Sequence, residues 1–170
     1  MNKERNKQIR EIDDAYFMLQ AVKEAYKARK AKEVPIGAVI IKDRKIIARG
    51  FNKCISLSDP TAHAENIALR KAAKKLKNYR LNNCSIYVTI EPCVMCIGTL
   101  INARIKRVTF GAFDKKIGAC KSIYKAIYKK LNHKMEIRGG REKYLSTKCA
   151  DIIKDFFKEK RTENKKSGTY

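Results

Sequence analysis

The sequence predicts one α/β domain in which a mixed sheet of about five strands is covered by helices. Three observations carry this. Short runs rich in Ile and Val read as strands, and stretches with apolar residues at spacings of three and four read as helices. In the middle of the chain a strand, a helix and a strand follow at the spacing of a parallel βαβ unit. No repeat or linker divides the 170 residues, a length that fits one domain and buries a core without disulfides. The expected organisation is a basic tail over 1–10, a single domain over 11–161 and a frayed tail over 162–170.

The first helix is expected from about Glu11 to Ala31, with Ile12, Tyr16, Leu19, Val22 and Tyr26 as its apolar face. After Pro35, the run Ile36 to Ile41 reads as a buried strand, and a turn at Asp43 and Arg44 pairs it with a strand from Lys45 to Phe51. The polar stretch from Lys53 to Thr61 is a loop. Thr61 is placed to cap a helix from Ala62 to about Lys77. Ser85 to Ile90 is a strand, and Pro92 suits the first position of a helix lasting to about Asn102. Arg107 to Phe110 forms the next strand. A helix from about Ser122 to Lys130, a short strand near Met135 to Ile137 and a helix from about Lys148 to Arg161 complete the domain.

Lys and Arg number 40 against 17 acidic residues, a formal net charge of +23. Such a charge attracts polyanions, so nucleic acid is the first partner to consider, with a biased genome composition as the competing explanation. No run approaches the roughly 18 apolar residues of a membrane span, and the charged first residues lack the apolar core of a secretory signal. A cytoplasmic location is the expectation. In that setting six cysteines point to metal or chemistry before disulfides. Cys93 and Cys96 form a CxxC pair, whereas Cys54, Cys84, Cys120 and Cys149 read as ordinary, partly buried thiols.

The chemistry-bearing constellation is His63 and Glu65 in HAE, about 30 residues ahead of Cys93 and Cys96 in PCVMC. Cysteines at i and i+3 in a first helical turn share a face, where free N–H groups and the helix dipole favour thiolates. One imidazole and two thiolates give three protein ligands, the number that leaves a zinc position open for water. Zinc there would generate hydroxide near neutral pH, with Glu65 as the proton shuttle. HxE and PCxxC in this order form the signature of zinc deaminases acting on nucleobases. His133, the other histidine, has no ligand-like neighbour and reads as structural.

The segments VPIGAVI, GFN, DPTAHAE, ALR, NYRL, YVTIEPCVMC, RVTFGAFD and KIGA resemble, in this order, the bacterial-type tRNA adenosine deaminases. HAE and PCxxC are shared with cytidine, guanine and other deaminases; DPTAHAE, EPCVMC and the stretch after Gly111 are more specific. The resemblance runs from about Ala15 to Arg161. It implies a three-layer α/β/α cytidine-deaminase-like fold and hydrolysis of adenosine to inosine at wobble position 34 of a tRNA anticodon loop. It also implies one zinc ion per subunit on His63, Cys93 and Cys96, with Glu65 catalytic. Asn52 and the Ala64 N–H would contact the base and the developing oxygen. Asp114 and Lys116 would lie near the anticodon stem-loop. A homodimer is implied, with Leu100, Ile101 and Arg104 facing the second chain.

The sequence departs from that family at Asn66, where an apolar residue is usual, at Phe113, and over GGREKYLSTKC before the last helix. The C-terminal basic run either tracks RNA phosphates or forms a solvated face. A deaminase of a free base such as guanine or cytosine would share every zinc residue. An inactive zinc-stabilised RNA-binding subunit would have no use for Glu65.

Overall fold

The computed structural model describes residues 2–122, 133–140 and 143–167. Its elements are α1 (Asn2–Lys30), β1 (Gly37–Lys42), β2 (Lys45–Phe51), α2 (Ala64–Leu76), β3 (Ser85–Ile90), α3 (Val94–Asn102), β4 (Arg107–Ala112), β5 (Glu136–Gly139) and α4 (Lys143–Ser167). The five strands form one sheet in the order β2-β1-β3-β4-β5. β1 is antiparallel to β2 and β3, while β3, β4 and β5 run parallel, so the expected mixed sheet and βαβ unit are both present. The expected helix from Ser122 to Lys130 lies outside the described residues beyond Ser122 itself.

Alternation along β1 sorts the layers. Ala38 and Ile40 join a core with Ala68, Leu69, Ile97 and Leu100 of α2 and α3. Val39 and Ile41 join Phe17, Met18, Ala21 and Val22 of α1 and Leu145, Cys149 and Ile152 of α4 on the opposite face. Period-two side chains on a strand buried from both sides produce this division. The result is the three-layer α/β/α architecture. No described helix is long and apolar enough to cross a membrane.

The β1–β2 hairpin turns through Asp43 and Arg44 at φ 47° and 58°, with Lys42 paired to Lys45. Two left-handed residues give the backbone of a type I′ turn, here without the Asn-Gly that usually marks it. β2 and β3 have the expected limits, and β4 extends two residues past Phe110.

Four expectations need correction. The buried face of α1 is Phe17, Met18, Ala21, Val22, Ala25 and Ala28, whereas Ile12, Tyr16, Leu19 and Tyr26 are exposed. The helix docks where Gly37 lets backbone meet backbone: a Cβ at that position would lie 2.1 Å from the Ala21 carbonyl oxygen. Alanines, not the larger residues, fit so close an approach.

The terminal helices are also longer than expected. α1 already spans Asn2 onward, and α4 runs from Lys143 to Ser167. Neither stretch contains Gly or Pro to stop it. Thr61 does not cap α2; its N–H and hydroxyl both donate to Asp59 Oδ1, at 2.7 and 2.6 Å, and His63 is the cap residue. Likewise Pro92 lies ahead of α3, because Cys93 is extended and bridges to Gly118, so the helix starts at Val94.

Candidate functional site

The site forms where the start of α2 meets the start of α3 over the sheet. β2 brings α2 in closely: a Cβ on Gly50 would lie 2.4 Å from the Ala64 oxygen and 2.6 Å from the Ala68 nitrogen. At the end of β2, Asn52 is buried and its Oδ1 accepts the Ala64 N–H at 2.8 Å. That N–H opens α2, and His63 makes no side-chain cap bond of its own. Asn52 therefore performs across twelve residues of sequence what a capping side chain does locally. The hydrogen bond fixes its amide with oxygen toward α2 and leaves the NH₂ group as donor. The Ala64 N–H, expected to hold a developing oxygen, is thus engaged with Asn52.

His63, Cys93 and Cys96 come together as expected, their ligand atoms all within 4.8 Å of one another. His63 Nδ1 lies 3.7 Å from Cys93 Sγ and 3.4 Å from Cys96 Sγ. Tetrahedral zinc with bonds of about 2.1 Å to nitrogen and about 2.3 Å to sulfur spaces such atoms about 3.6 Å apart, so the donor set fits that ion. No fourth His, Cys, Asp or Glu joins the cluster among the described residues.

The electrostatics agree with a cation site. A hydrogen bond from Cys96 holds the Cys93 thiol far below its ordinary value, at about 4, with His63 adding to the effect. Cys96 is pushed up, first by that bond to the Cys93 thiolate and then by burial. Bonding to Cys93 raises His63. A metal ion bound by both sulfurs would favour their thiolate forms.

Glu65 is buried at 3 % exposure. Burial pushes its carboxyl up, past the opposing effects of a backbone hydrogen bond and of nearby His63. Beside it, the departure Asn66 is also buried and bonded through both amide atoms. Its Nδ2 donates to the Thr61 oxygen at 2.8 Å, and its Oδ1 accepts from Thr99 Oγ1 at 2.7 Å. An apolar residue there would tie nothing together; Asn66 links the loop before α2 to α3.

The loop from Phe113 to Ser122 carries Asp114 and Lys116. Asp114 Oδ1 accepts the N–H groups of Lys116 at 2.8 Å and Ile117 at 3.2 Å, so this side chain builds its own turn, while Lys116 is exposed. Phe113 stacks edge-on against Phe110, ring centroids 5.2 Å apart. His133 Nε2 bonds the Ile105 oxygen at 2.7 Å, the structural role expected of it. Leu100 is wholly buried in its own core, which removes it from any surface that meets a second chain. Ile101 is half-buried against that core.

Among the buried carboxylates not marked by any motif, Glu33 and Glu91 each hold a loop of the site. Glu33, at 1 % exposure, accepts the N–H groups of Ile55 at 3.1 Å and Ser56 at 2.7 Å, anchoring the loop that leads to His63. Burial works to raise its carboxyl, but the hydrogen bonds from Ser56 and Ile55 win and hold it low. Glu91 does the same for the loop over 113–122. The sequence signal was slight: each acid directly precedes an apolar or proline-containing segment, with no periodic pattern to mark it.

The MafB19-like deaminase family model matches residues 12–161. A tRNA-specific adenosine deaminase of Buchnera aphidicola subsp. Schizaphis graminum is 45% identical over 148 residues, 87% of this chain and 96% of that protein. The tRNA-specific adenosine deaminase of Haemophilus influenzae is 45% identical over 159 residues, covering 92% and 90% of the two chains. A solved structure from a study of A-to-I editing by tRNA:A34 deaminases superposes with a TM-score of 0.70 at 40% identity, over 74% of this chain and 98% of that one.

Proposed function

Since the chain belongs to the tRNA-specific adenosine deaminase family, within reach of the MafB19-like deaminase model, we propose that it hydrolyses adenosine to inosine at wobble position 34 of a tRNA anticodon loop. The 45% identity to two tRNA-specific adenosine deaminases carries the substrate reading, and Glu65, a carboxyl buried beside a three-ligand cluster with no fourth ligand from the described residues, carries the chemistry. Zinc held by His63 Nδ1, Cys93 and Cys96 would supply Lewis-acid chemistry, bringing the pKa of water there towards about 7.

Glu65 takes a proton from the attacking water and delivers it to ring N1 of the adenine. A second transfer through the same carboxyl lets the amino group leave as ammonia, so adenosine and water become inosine and ammonia. Asn52 presents its NH₂ group to an acceptor atom of the base, its orientation fixed by Ala64. The Ala64 N–H offers a second, shared bond to the oxygen developing at the attacked carbon. An anticodon loop is already unpaired, so turning its base into the pocket costs less than in a duplex.

Exposed Lys115 and Lys116 and the +23 charge suit phosphate contacts along the loop, with Asp114 shaping the turn that carries them. The working unit is a homodimer in which α3 and the residues after it approach a second chain, Leu100 excepted. The experiment is direct. Zinc-loaded protein is incubated with an anticodon stem-loop bearing adenosine at the wobble position, and nucleosides are counted after digestion. Inosine at that position supports the proposal; ammonia from free guanine or cytosine without inosine overturns the substrate.

A further inference from the structure

We propose that Glu91 is a positioning residue that registers the 113–122 loop on the cysteine segment of the site, and so aligns the bound RNA with the metal ligands. The inference rests on reading that loop as an RNA contact. Glu91 directly precedes Pro92 and Cys93 and is 1 % exposed. No cation pairs with its carboxylate among the ion pairs of the described residues. It is instead wrapped by one loop. Oε1 accepts the N–H groups of Cys120 at 3.0 Å and Ser122 at 2.9 Å, and also that of Lys121. Oε2 accepts the Asp114 N–H at 3.2 Å and the Ser122 hydroxyl.

Both ends of the loop are thus tied to one side chain. Its middle is tied to the same segment: Ala119 N–H donates to the Pro92 oxygen at 2.9 Å, and Gly118 bridges to Cys93. Gly118 is needed for this closeness, since a Cβ there would lie 2.5 Å from Glu91 Oε2. Charged acceptors satisfy converging N–H groups more strongly than neutral ones. A space-filling role would ask only for shape, whereas this arrangement asks for acceptors on both oxygens.

Glu91→Gln separates the two, because it keeps the shape and turns an NH₂ group toward N–H donors. Ser122→Ala removes one hydroxyl bond and serves if the first variant does not fold. Zinc-loaded full-length chains are compared by zinc content, by hydrogen exchange of amides 114–122, and by kcat and KM on the wobble-adenosine stem-loop. Glu91→Gln is expected to speed exchange in the loop and raise KM by about ten-fold each, with kcat changed far less and zinc retained. Ser122→Ala should move exchange and KM the same way by a smaller factor. Native-like exchange and KM in Glu91→Gln would overturn the proposal, as would loss of zinc and kcat with loop exchange unchanged. Should the native chain make no inosine, the substrate reading fails by itself, and the exchange comparison still decides what Glu91 holds.

Discussion

Replacing Asn52 with alanine tests how the sheet sets the start of α2. The Ala64 N–H is one of the donors that a helix start leaves without an intrahelical partner. Ala64 is wholly buried in the native chain, so losing the Asn52 oxygen leaves this donor poorly satisfied. A buried donor left unpaired costs about 1–3 kcal/mol, and His63 has no cap bond to offer in compensation. For a chain of this size each kcal/mol moves Tm by about 2–4 °C, so a fall of roughly 4–8 °C is expected from a cost near 2 kcal/mol. Asn52→Asp keeps an acceptor at a helix N-terminus, where negative charge is favoured, and should retain most of the lost stability. Thermal unfolding of the zinc-loaded chains is the assay. Equal Tm values for native and Asn52→Ala, or an Asp variant no better than Ala, would refute the capping argument.

Other outcomes follow from the same geometry. Gly50→Ala should cost about 1–3 kcal/mol by pushing α2 off β2, measured by urea unfolding; an unchanged midpoint would mean the two elements can separate freely. Glu33 has a folded pKa below its unfolded value of 4.5, so its stabilisation is present above that pH and fades as pH falls through the folded value. The stability gap between native and Glu33→Gln should therefore be flat at neutral pH and close in acid, and a gap that widens on acidification would contradict this. Cys93→Ala should lower bound zinc well below one per chain by metal analysis; full retention would remove Cys93 from the ligand set. RNA binding should weaken steeply with added salt, and a flat response would strip the positive charge of its role.

Much of this molecule was legible because each signal was local. β2 and β3 match their apolar runs, and HAE with PCVMC marks three ligands that the fold brings together, with Glu65 buried two residues after His63. What was missed depends on partners distant in sequence. α1 carries two apolar stripes, and only the approach of Gly37 tells that the one with Ala21 and Ala25, flanked by Phe17, Met18 and Val22, is buried. Thr61 has the right chemistry for a cap, but Asp59 two residues earlier captures it. Glu33 and Glu91 look like surface acids until the loops they hold fold over them. Asn66 stands where an apolar residue is usual, and its two hydrogen bonds, to Thr61 and from Thr99, make it a link from the loop before α2 to α3.

Glu65 is assigned to move protons at a metal site it does not itself complete. The measurement that tests it most directly is inosine formed per bound zinc in Glu65→Gln beside the native chain, on the wobble-adenosine stem-loop. About one zinc per chain is expected in both proteins, with a fall in turnover of at least about 10²-fold in the variant. Turnover that survives in Glu65→Gln, or zinc lost together with activity, would contradict it.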